Sequence, residues 1–504
     1  MTVVDTLLVR VDASPEIGLG HGMRCLALAQ GWKDAGGDVC FALAESLPAF
    51  EQRLKRERFE IVPLPVRPGT AEDASRTAAV ARERQAPWVV VDGYRFGPAY
   101  QRTVKESGTR LLIFDDRGHA GDYSADLVLN QNISARPETY SRRASHTRLL
   151  LGPRYVMLQR NFRMRRPAKR KAPPIGRKFL VTIGGVDAHN VTLNVIRVLE
   201  RTSIDSLEGR IVLGGGNPHL ESLEAAVRAS PGRLRLERDP PDMSELMAWA
   251  DLAIGASGTT SWELAYMGVP SLLIATADNQ REVAESLDRA GMAKSLGWHE
   301  ALTESRLTEA LREIAESRPM REEMSRRGRE LVDGQGVPRV LAEMKASLLA
   351  LRPVTERDAR LLWEWANDRS VRSVSFTPDS IPWENHVKWF EAKRKDPNCR
   401  FYLAVDPLGV PLGQIRFDAQ GEAAEVSVSL DARFRSRGYG SALILAGSRK
   451  VFDESRVKLL HAYVKEGNEA SVRAFVRAGY QHAGLASVRG QQAIHLVLRK
   501  ETPA

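Results

Sequence analysis

A glycine-rich stretch near the start of the chain constrains the fold more than any other feature of the sequence. The apolar run Thr6–Val11 predicts a parallel strand, and Gly18-Leu19-Gly20-His21-Gly22-Met23-Arg24 follows it. Apolar residues then recur at helical spacing as far as Gly36-Gly37. Such a turn leaves backbone N–H groups free for an anion and keeps His21 at the cleft. The alternative is an ordinary Rossmann-type turn in which His21 caps the helix.

Length and composition restrict the class of protein. A chain of 504 residues is expected to form about three domains. No apolar run is long enough to span a bilayer, and the N-terminus lacks a signal pattern. The three cysteines, never in a Cys-x-x-Cys pair, make neither a disulfide framework nor a zinc knot. We therefore expect a soluble cytoplasmic protein.

The net charge of +10 is modest for this length and is partly concentrated in one segment. No recognised nucleic-acid motif accompanies it, and anionic small molecules such as nucleotides account for it equally well. We expect neither a nucleic acid nor a membrane as a partner.

Residues 1–162 alternate strand-like and helix-like segments, which predicts a first Rossmann-like domain with a parallel sheet. Two strands end in acidic and aromatic residues, Asp92-Gly93-Tyr94 and Asp115-Asp116. These side chains either line the ligand crevice at the carboxyl ends of the strands or cap helices and turns. The basic, proline-rich segment 163–178 reads as a linker that is solvated or helps to attract a diphosphate.

A second α/β domain is predicted over 179–348, where a strand at 179–183 ends in Gly184-Gly185. Its most informative part is the turn Ser257-Gly258-Thr259, which leads into a helix whose first turn is expected to carry Glu263. A diphosphate on the free N–H groups, with Glu263 accepting from a ribose diol, is physically coherent. The alternative is that Glu263 only favours the helix N-terminus electrostatically. The amides of Asn279-Gln280 could hold a sugar or a phosphate.

Six blocks of residues 1–345 resemble the UDP-2,4-diacetamido-2,4,6-trideoxy-β-L-altropyranose hydrolases of pseudaminic acid biosynthesis. The blocks are Asp12 through Arg24, Asp115-Asp116 through Asn132, Leu151 through Tyr155, Gly184 through Asn190, Ser257 through Glu263, and Asp278-Asn279-Gln280. The resemblance implies a GT-B-like pair of domains, with UDP on the second domain and the sugar facing the first. It also implies that His21 positions or deprotonates the attacking water and that Asn279 contacts the substrate.

The first two domains therefore carry one predicted catalytic residue, His21, and a set of predicted substrate-binding residues. The set is Gly20, Arg24, Tyr94, Gly185, Ser257, Gly258, Thr259, Glu263, Asn279 and Gln280. No metal is expected, because UDP bound at a helix N-terminus is already a good leaving group.

The sequence pattern changes over 349–504. In segment 425–430, polar and apolar residues alternate as in a half-buried strand, and the stretch Arg433-Phe434-Arg435-Ser436-Arg437-Gly438-Tyr439-Gly440 follows it. This turn matches the Q/R-x-x-G-x-G/A pyrophosphate loop, and a second block fits N-x-x-A/S followed by G-F/Y. The segment thus resembles the GCN5-related N-acetyltransferases (GNAT), which implies a mixed, mainly antiparallel sheet and acetyl-CoA as co-substrate. The predicted cofactor-binding residues are Val428, Leu430, Arg435, Arg437, Gly438, Gly440, Asn468, Ser471 and Phe475.

More narrowly, Trp365-Ala366-Asn367 and the segment around His386 resemble acetyltransferases that act on the C4 amine of a UDP-amino sugar. We expect Trp365, Trp389 and Phe390 to lie in the core, while His386 is either a site residue or a surface residue.

Phe475 stands where many members of the superfamily carry the tyrosine that acts as general acid. Either Tyr480 or water serves, or the thiolate leaves unassisted, which its pKa near 8.5 permits. Glu425 is the candidate base, directly or through water, and the alternative is a surface glutamate at the start of a strand.

The sequence thus predicts a bifunctional enzyme that acetylates a UDP-4-amino-4,6-dideoxy sugar and then releases UDP by hydrolysis. One alternative is a UDP-sugar-dependent glycosyltransferase fused to an acetyltransferase. Another is a regulatory fusion in which one half binds nucleotide without catalysis. Sugar stereochemistry, oligomeric state and channelling between the sites are left open.

Overall fold

The structure, a computed structural model, describes residues 5–14, 17–165, 170–230 and 232–500. These residues divide into two compact units: 34–36 and the residues from 338 onward form one, and the remainder form the other. Part of the predicted linker, residues 166–169, lies outside the described residues. The predicted domain bounds at 162, 178 and 348 stay predictions.

The first sheet of the larger unit has seven parallel strands in the order β3-β2-β1-β4-β5-β6-β7. Its strands are β1 (Thr6–Val11), β2 (Asp38–Leu43), β3 (Glu60–Pro63), β4 (Trp88–Asp92), β5 (Arg110–Phe114), β6 (Leu127–Asn130) and β7 (Arg148–Leu151). The accompanying helices are α1 (Gly20–Asp34), α2 (Pro48–Arg56), α3 (Ala71–Glu83), α4 (Pro98–Lys105) and α5 (Arg160–Met164).

Strands β1, β2, β4 and β5 are buried along almost their whole length. This is why they appear in the sequence as continuous apolar runs, since both faces of a parallel sheet are covered by helices. The strand order reverses between β1 and β4. Ligands bind in the crevice at such a reversal, and that is where the glycine turn and Asp92 lie.

The second sheet of this unit has six parallel strands in the order β10-β9-β8-β11-β12-β13. The strands are β8 (Lys178–Thr182), β9 (Glu208–Leu213), β10 (Leu234–Arg238), β11 (Leu252–Ala256), β12 (Ser271–Ala275) and β13 (Lys294–Trp298). The helices are α6 (Val191–Arg201), α7 (Leu220–Ala229), α8 (Met243–Trp249), α9 (Thr259–Met267), α10 (Asp278–Arg289), α11 (Glu304–Glu316) and α12 (Arg318–Leu331), and α13 (Gly336–Ala346) begins in this unit and continues into the smaller one. The order reverses between β8 and β11, so the turns that follow these two strands flank a second crevice.

The sheet of the smaller unit has seven strands in the order β14-β15-β16-β17-β18-β20-β19. The strands are β14 (Ala350–Pro353), β15 (Cys399–Val405), β16 (Pro411–Gln420), β17 (Ala423–Leu430), β18 (Leu459–Lys465), β19 (Gln481–Val488) and β20 (Gln491–Arg499). The helices are α14 (Ala359–Ala366), α15 (Arg369–Ser373), α16 (Trp383–Lys395), α17 (Tyr439–Glu454) and α18 (Glu469–Arg477). All pairs are antiparallel except β17–β18, which is parallel.

These topologies confirm the predicted fold class: two Rossmann-type domains in a GT-B-like pair, followed by a mixed, mainly antiparallel sheet. One local expectation is wrong. Helix α9 begins at Thr259, so Glu263 lies on its second turn rather than its first. Electrostatic stabilisation of a helix N-terminus falls off within the first turn, which weakens the explanation of Glu263 as a simple helix-end charge.

Candidate active sites

A cavity of about 330 Å³ lies between the two parallel sheets of the larger unit. All eleven residues predicted for catalysis and substrate binding in this unit line it: Gly20, His21, Arg24, Tyr94, Gly185, Ser257, Gly258, Thr259, Glu263, Asn279 and Gln280. The structure therefore brings together residues from positions 20 to 280 of the chain.

His21 lies in the first turn of α1, directly after the glycine turn at Gly18. Gly18 adopts a φ of +70°, and a Cβ at Gly22 would lie 2.8 Å from the ring of Phe50. The helix can pack at this distance only with glycine at that position. These constraints fix the start of the helix, and His21 faces the cavity.

Asp92, at the end of β4, holds the imidazole of His21. The Nδ1 atom lies 2.5 Å from Asp92 Oδ1 and 3.2 Å from Arg24 Nη2. The guanidinium can only donate, and its Nη2 already donates to Asp92 Oδ1 at 2.7 Å. We therefore assign the ring proton to Nδ1, which donates to the carboxylate. The assignment leaves Nε2 of neutral His21 with a lone pair.

Arg24 joins two carboxylates beneath the cavity. It donates from Nε to Asp92 Oδ2 at 2.6 Å and from Nη1 to Asp116 Oδ1 at 2.8 Å. Burial opposes ionisation of Asp92, but Arg24 and His21 outweigh it and lower the pKa of Asp92 to about 2. The carboxylate that orients His21 is therefore ionised throughout the physiological range.

Tyr94 connects the two halves of the cavity. Its hydroxyl accepts from Asn279 Nδ2 at 3.2 Å and lies 3.4 Å from Asp116 Oδ2. Its ring meets that of His21 edge-on, with centroids 5.0 Å apart. Burial, followed by the charge of Asp116, raises the pKa of Tyr94, so its hydroxyl keeps its proton.

The opposite wall of the cavity is formed by the turn between β11 and α9. Ser257 Oγ donates to the carbonyl of Gln280 at 3.0 Å, and the Gln280 side chain accepts from the backbone N–H of Thr276 at 3.0 Å. A Cβ at Gly20 would lie 3.8 Å from Thr259. The N-termini of α1 and α9 therefore approach each other across the cavity, and both favour an anion there.

Glu263 is partly buried and lines the cavity. Burial raises its pKa to about 7, although Arg53 and a hydrogen bond with Gln159 act in the opposite direction. A carboxyl group with this pKa changes its protonation state near neutral pH. A hydroxyl donor bound beside it would favour the ionised form.

Several lining residues were outside the predicted catalytic and substrate-binding set: Arg53, Asp116, Asn132, Gln159 and Asp239. The acidic strand ends had marked Asp92 and Asp116 as candidates, but Arg53 and Gln159 carried no signal. Arg53 lies on α2, with its Nη2 3.9 Å from Asp239 Oδ1. Only the packing of one domain on the other reveals that pair.

In the smaller unit, strands β17 and β18 form a fork. Their pairing joins Ala423, Ala424 and Glu425 to residues 459–461, and within the described chain 426–430 has no partner in β18. The edge of β17 that faces β18 therefore lacks a strand partner over the stretch that contains Val428 and Leu430.

The predicted pyrophosphate loop follows β17 and ends at the N-terminus of α17. Ser436 and Gly438 have φ values of +61° and +81°, a backbone form that turns successive N–H groups into a concavity. Arg435 is engaged within the unit: it donates to the carbonyl of Leu430 at 3.0 Å and to Asp368 Oδ1 at 3.0 Å. Arg437 and Gly440 lie on either side of Gly438.

The remaining predicted cofactor residues lie on α18. Asn468 caps this helix, its side chain accepting from the backbone N–H of Ser471 at 3.2 Å. Phe475 is only 3% exposed and packs in the core against Tyr480. The structure thus gives Asn468 and Phe475 roles within the fold, and their contacts with a cofactor stay predictions.

Tyr480 and Glu425 lie in opposite environments. Tyr480 is buried, burial raises its pKa, and its hydroxyl lies 2.9 Å from Ser448 Oγ. This hydroxyl belongs to the core, which argues against Tyr480 and for the other two alternatives, water or an unassisted thiolate. Glu425 is exposed at the point where the fork opens.

Four of the aromatic and histidine expectations can be judged from burial. Trp365 and Phe390 are 7% and 0% exposed, which confirms both as core residues. Trp389 was expected in the core, but it is 38% exposed beneath the guanidinium of Arg416. His386 is 2% exposed, with Nε2 3.1 Å from the carbonyl of Ala359, so it is neither a surface residue nor an accessible site residue.

Among the described residues, no cluster of three or more His, Cys, Asp or Glu side chains is placed to hold a metal ion. None of the helices in the described part of the chain is both long and apolar enough to cross a membrane.

Two stretches of the chain match known domain families. Residues 349–481 match the acetyltransferase (GNAT) domain, and residues 238–335 match the glycosyltransferase family 28 C-terminal domain.

Two relatives each align with more than half of the chain. The spore coat polysaccharide biosynthesis protein SpsG of Bacillus subtilis is 26% identical over 337 residues, 66% of this chain and 95% of SpsG. The UDP-2,4-diacetamido-2,4,6-trideoxy-β-L-altropyranose hydrolase of Campylobacter jejuni is 24% identical over 287 residues, 56% of this chain and 97% of the hydrolase.

Among solved structures, MurG of Acinetobacter baumannii is 16% identical with a TM-score of 0.49, covering 68% of this chain and 99% of MurG.

The two sequence relatives show that the chain is a homologue of SpsG and of the Campylobacter hydrolase. Unlike a chain of the first two domains alone, this chain also carries a C-terminal GNAT domain.

Proposed function

We propose that the chain is a bifunctional enzyme of nonulosonic (pseudaminic) acid biosynthesis. Its GNAT domain transfers an acetyl group from acetyl-CoA to the amine of a UDP-4-amino-4,6-dideoxy sugar. Its larger unit then hydrolyses the resulting UDP-2,4-diacetamido-2,4,6-trideoxy sugar and releases UDP. Homology to a hydrolase of this substrate class and the GNAT match support the proposal.

The observation that carries the hydrolase assignment is the pair of His21 and Asp92 at the edge of a cavity with two converging helix N-termini. Water bound at Nε2 gives up a proton to His21 as its oxygen attacks the anomeric carbon. The bond between that carbon and the diphosphate oxygen breaks, and UDP leaves as an anion. Asp92, ionised because of its low pKa, stabilises the imidazolium that forms.

The predicted binding residues divide between the two ends of the substrate. The diphosphate lies on the N–H groups beside Ser257, Gly258 and Thr259, close to Gly20 and Gly185. Ionised Glu263 accepts hydrogen bonds from the ribose diol. The sugar faces Arg24, Tyr94, Asn279 and Gln280, where amide and hydroxyl groups can pair with its acetamido substituents. No metal takes part in the proposal.

In the smaller unit, the loop at Arg437, Gly438 and Gly440 holds the pyrophosphate of acetyl-CoA at the N-terminus of α17. The pantetheine arm pairs with the free edge of β17 at Val428 and Leu430. Both co-substrates are cytoplasmic metabolites, so a cytoplasmic location is part of the proposal.

Acetylation comes first in the proposed order. An ammonium group at C4 would enter a pocket suited to a neutral amide, and its desolvation is costly. The unacetylated nucleotide sugar is therefore a poor substrate for hydrolysis.

A UDP-sugar-dependent glycosyltransferase is the second candidate, because residues 238–335 match a glycosyltransferase domain. A histidine base serves an acceptor alcohol as well as it serves water.

The test is to incubate the protein with the UDP-4-amino sugar and acetyl-CoA in water enriched in oxygen-18, and to follow products by NMR and mass spectrometry. We expect the 4-acetamido compound, then free sugar with the label at C1 and unlabelled UDP. Label in the nucleotide would mean cleavage at phosphorus and contradict the mechanism. Turnover only after addition of an acceptor alcohol would favour the glycosyltransferase, and no turnover would favour a regulatory role.

A further inference from the structure

Two histidines and a tyrosine form a stacked cluster on the sheet of the smaller unit. His461 Nδ1 lies 2.9 Å from His495 Nε2, and the two ring centroids are 5.1 Å apart at an interplanar angle of 20°. Tyr463 stacks on His495 with centroids 4.7 Å apart. All three side chains are half-buried.

The cluster lies on the face of the sheet opposite α17 and α18. Leu460 and Ala462 of β18 and Leu496 of β20 pack in the main core, so the alternate residues His461, Tyr463 and His495 face the other way. On that face, the apolar contacts with α14 and α16 are made by β15. The histidines therefore belong to the part of the face that bears polar groups.

Along the strands, the cluster lies where the fork begins. His461 pairs with Glu425, the last pair before β17 and β18 separate. Leu430, beside the pyrophosphate loop, is five residues further along β17, or about 16 Å in an extended strand. An acyl carrier laid along the free edge of β17 from the loop would end beside His461.

The hydrogen bond between the rings fixes how many protons the neutral pair holds. Each neutral imidazole carries one N–H, and one of the two facing nitrogens must donate while the other accepts. If His461 donates, its own Nε2 keeps a lone pair, whereas if His495 donates, the lone pair is on His495 Nδ1. Either arrangement leaves the pair able to take up one proton from a ligand.

Electrostatics favours the neutral form at His461. Burial, followed by the charges of His495 and Arg499, lowers the pKa of His461. The other charged or titratable groups on this face are Glu425 of β17, Arg416 and Asp418 of β16, Lys393 of α16, and Tyr463 and Lys465 of β18. Glu425, opposite His461, would stabilise the imidazolium once it forms.

We propose that the His461–His495 pair is the proton acceptor of the acetyl transfer, in the role first considered for Glu425. The inference rests on the proposed acetyltransferase function. The pair takes one proton from the sugar ammonium, and the freed nitrogen lone pair forms a C–N bond to the thioester carbonyl. The C–S bond then breaks, and the second amine proton passes to the CoA thiolate. The products are the amide, CoA thiol and a protonated pair that releases its proton to solvent.

The test compares His461→Gln and His495→Gln with His482→Gln, an exposed histidine of β19, by measuring kcat/KM for acetyl transfer between pH 6 and 10. We expect both pair variants to lose about 100-fold or more at pH 7. They should regain activity as the free amine deprotonates in solution, while His482→Gln keeps the wild-type profile. A wild-type profile for His461→Gln, with a large loss in Glu425→Gln instead, would overturn the proposal.

A second measurement separates this inference from the proposed function. The imidazole resonances of the wild type and of the two variants are recorded by NMR with and without acetyl-CoA alone. We expect the signals of His461 and His495 to shift when acetyl-CoA binds. Bound acetyl-CoA with both signals unchanged would overturn the role of the pair, whereas shifted signals without acetylation of the sugar amine would contradict only the proposed acceptor.

Discussion

The two candidate sites hold their polar groups in opposite ways. Around His21 the charges are fixed before any ligand arrives, because Arg24 is paired with both Asp92 and Asp116. At the fork of the smaller unit, the features that could receive a ligand are the free edge of β17 and a pair of imidazoles. The difference matches the proposed chemistry. Departure of a diphosphate needs a preorganised electrostatic environment, whereas acylation of an amine mainly needs removal of a proton.

The largest expected effect tests whether the first site catalyses hydrolysis or only binds the nucleotide. His21→Asn should lower the rate of hydrolysis roughly 100-fold or more, since general-base assistance is worth about 10²–10⁴. The affinity for UDP, measured by calorimetry, should stay nearly unchanged. His146→Asn, an exposed histidine of the same unit, is the matched control. Near-normal turnover in His21→Asn would remove this residue from the mechanism.

The next effect concerns Glu263, a carboxyl group of the first site whose pKa lies near neutral pH. Glu263→Ala should weaken UDP binding by about 1–3 kcal/mol, the worth of a charge-assisted hydrogen bond. Because burial raises the pKa of Glu263 to about 7 and the ribose diol favours the ionised form, wild-type affinity should increase as the pH rises from 6 to 8.

UDP itself changes charge over part of this pH range, so Glu263→Gln serves as the control. Its affinity should depend less on pH than that of the wild type when both are titrated by calorimetry. If UDP affinity depended on pH identically in the two proteins, Glu263 would have only a structural role.

A third effect joins the two sites. Without acetyl-CoA, UDP release from the 4-amino substrate should be roughly tenfold slower or more, because the pocket would have to desolvate an ammonium group. The measurement is UDP release with and without acetyl-CoA. Equal rates would contradict the ordered scheme and the shared pathway of the two units.

The smallest effect tests whether the second site depends on backbone geometry. Gly438→Ala should weaken CoA binding about fivefold, since a side chain at a φ of +81° is strained and disturbs the loop. Gly409→Ala is a matched control, because Gly409 has the same φ and open space around it. Both variants should lose similar stability in thermal unfolding, but only Gly438→Ala should lose CoA affinity. Equal CoA affinities would exclude the loop from the site.

The sequence predicted features that depend on local periodicity and turn chemistry. Strand β1 runs from Thr6 to Val11 as expected, and the glycine turn delivers His21 to the cleft. Asp92 stayed ambiguous because its contact with His21 depends on β4 lying next to β1, which is a property of strand order. Arg53 and Gln159 were missed because their neighbours are distant in the chain.

Burial was the hardest property to predict in the smaller unit. Trp389 is adjacent to Phe390 on α16 and also contacts the sheet, through Phe401 and Arg416, yet it is 38% exposed whereas Phe390 is fully buried in the core. His461 and His495 carried no signal, because they are 34 positions apart and meet only through the pairing of β18 with β20.

The contact between Tyr94 and Asn279 has a consequence for the kinetics of turnover. It is a single neutral hydrogen bond of 3.2 Å between residues on opposite walls of the cavity, worth about 0.5–1.5 kcal/mol. The need to break it slows separation of the walls by only roughly two- to thirteenfold, since 1.4 kcal/mol is a factor of ten. This hydrogen bond is therefore weak enough to let product leave readily. Substitution of either Tyr94 or Asn279 would change its strength.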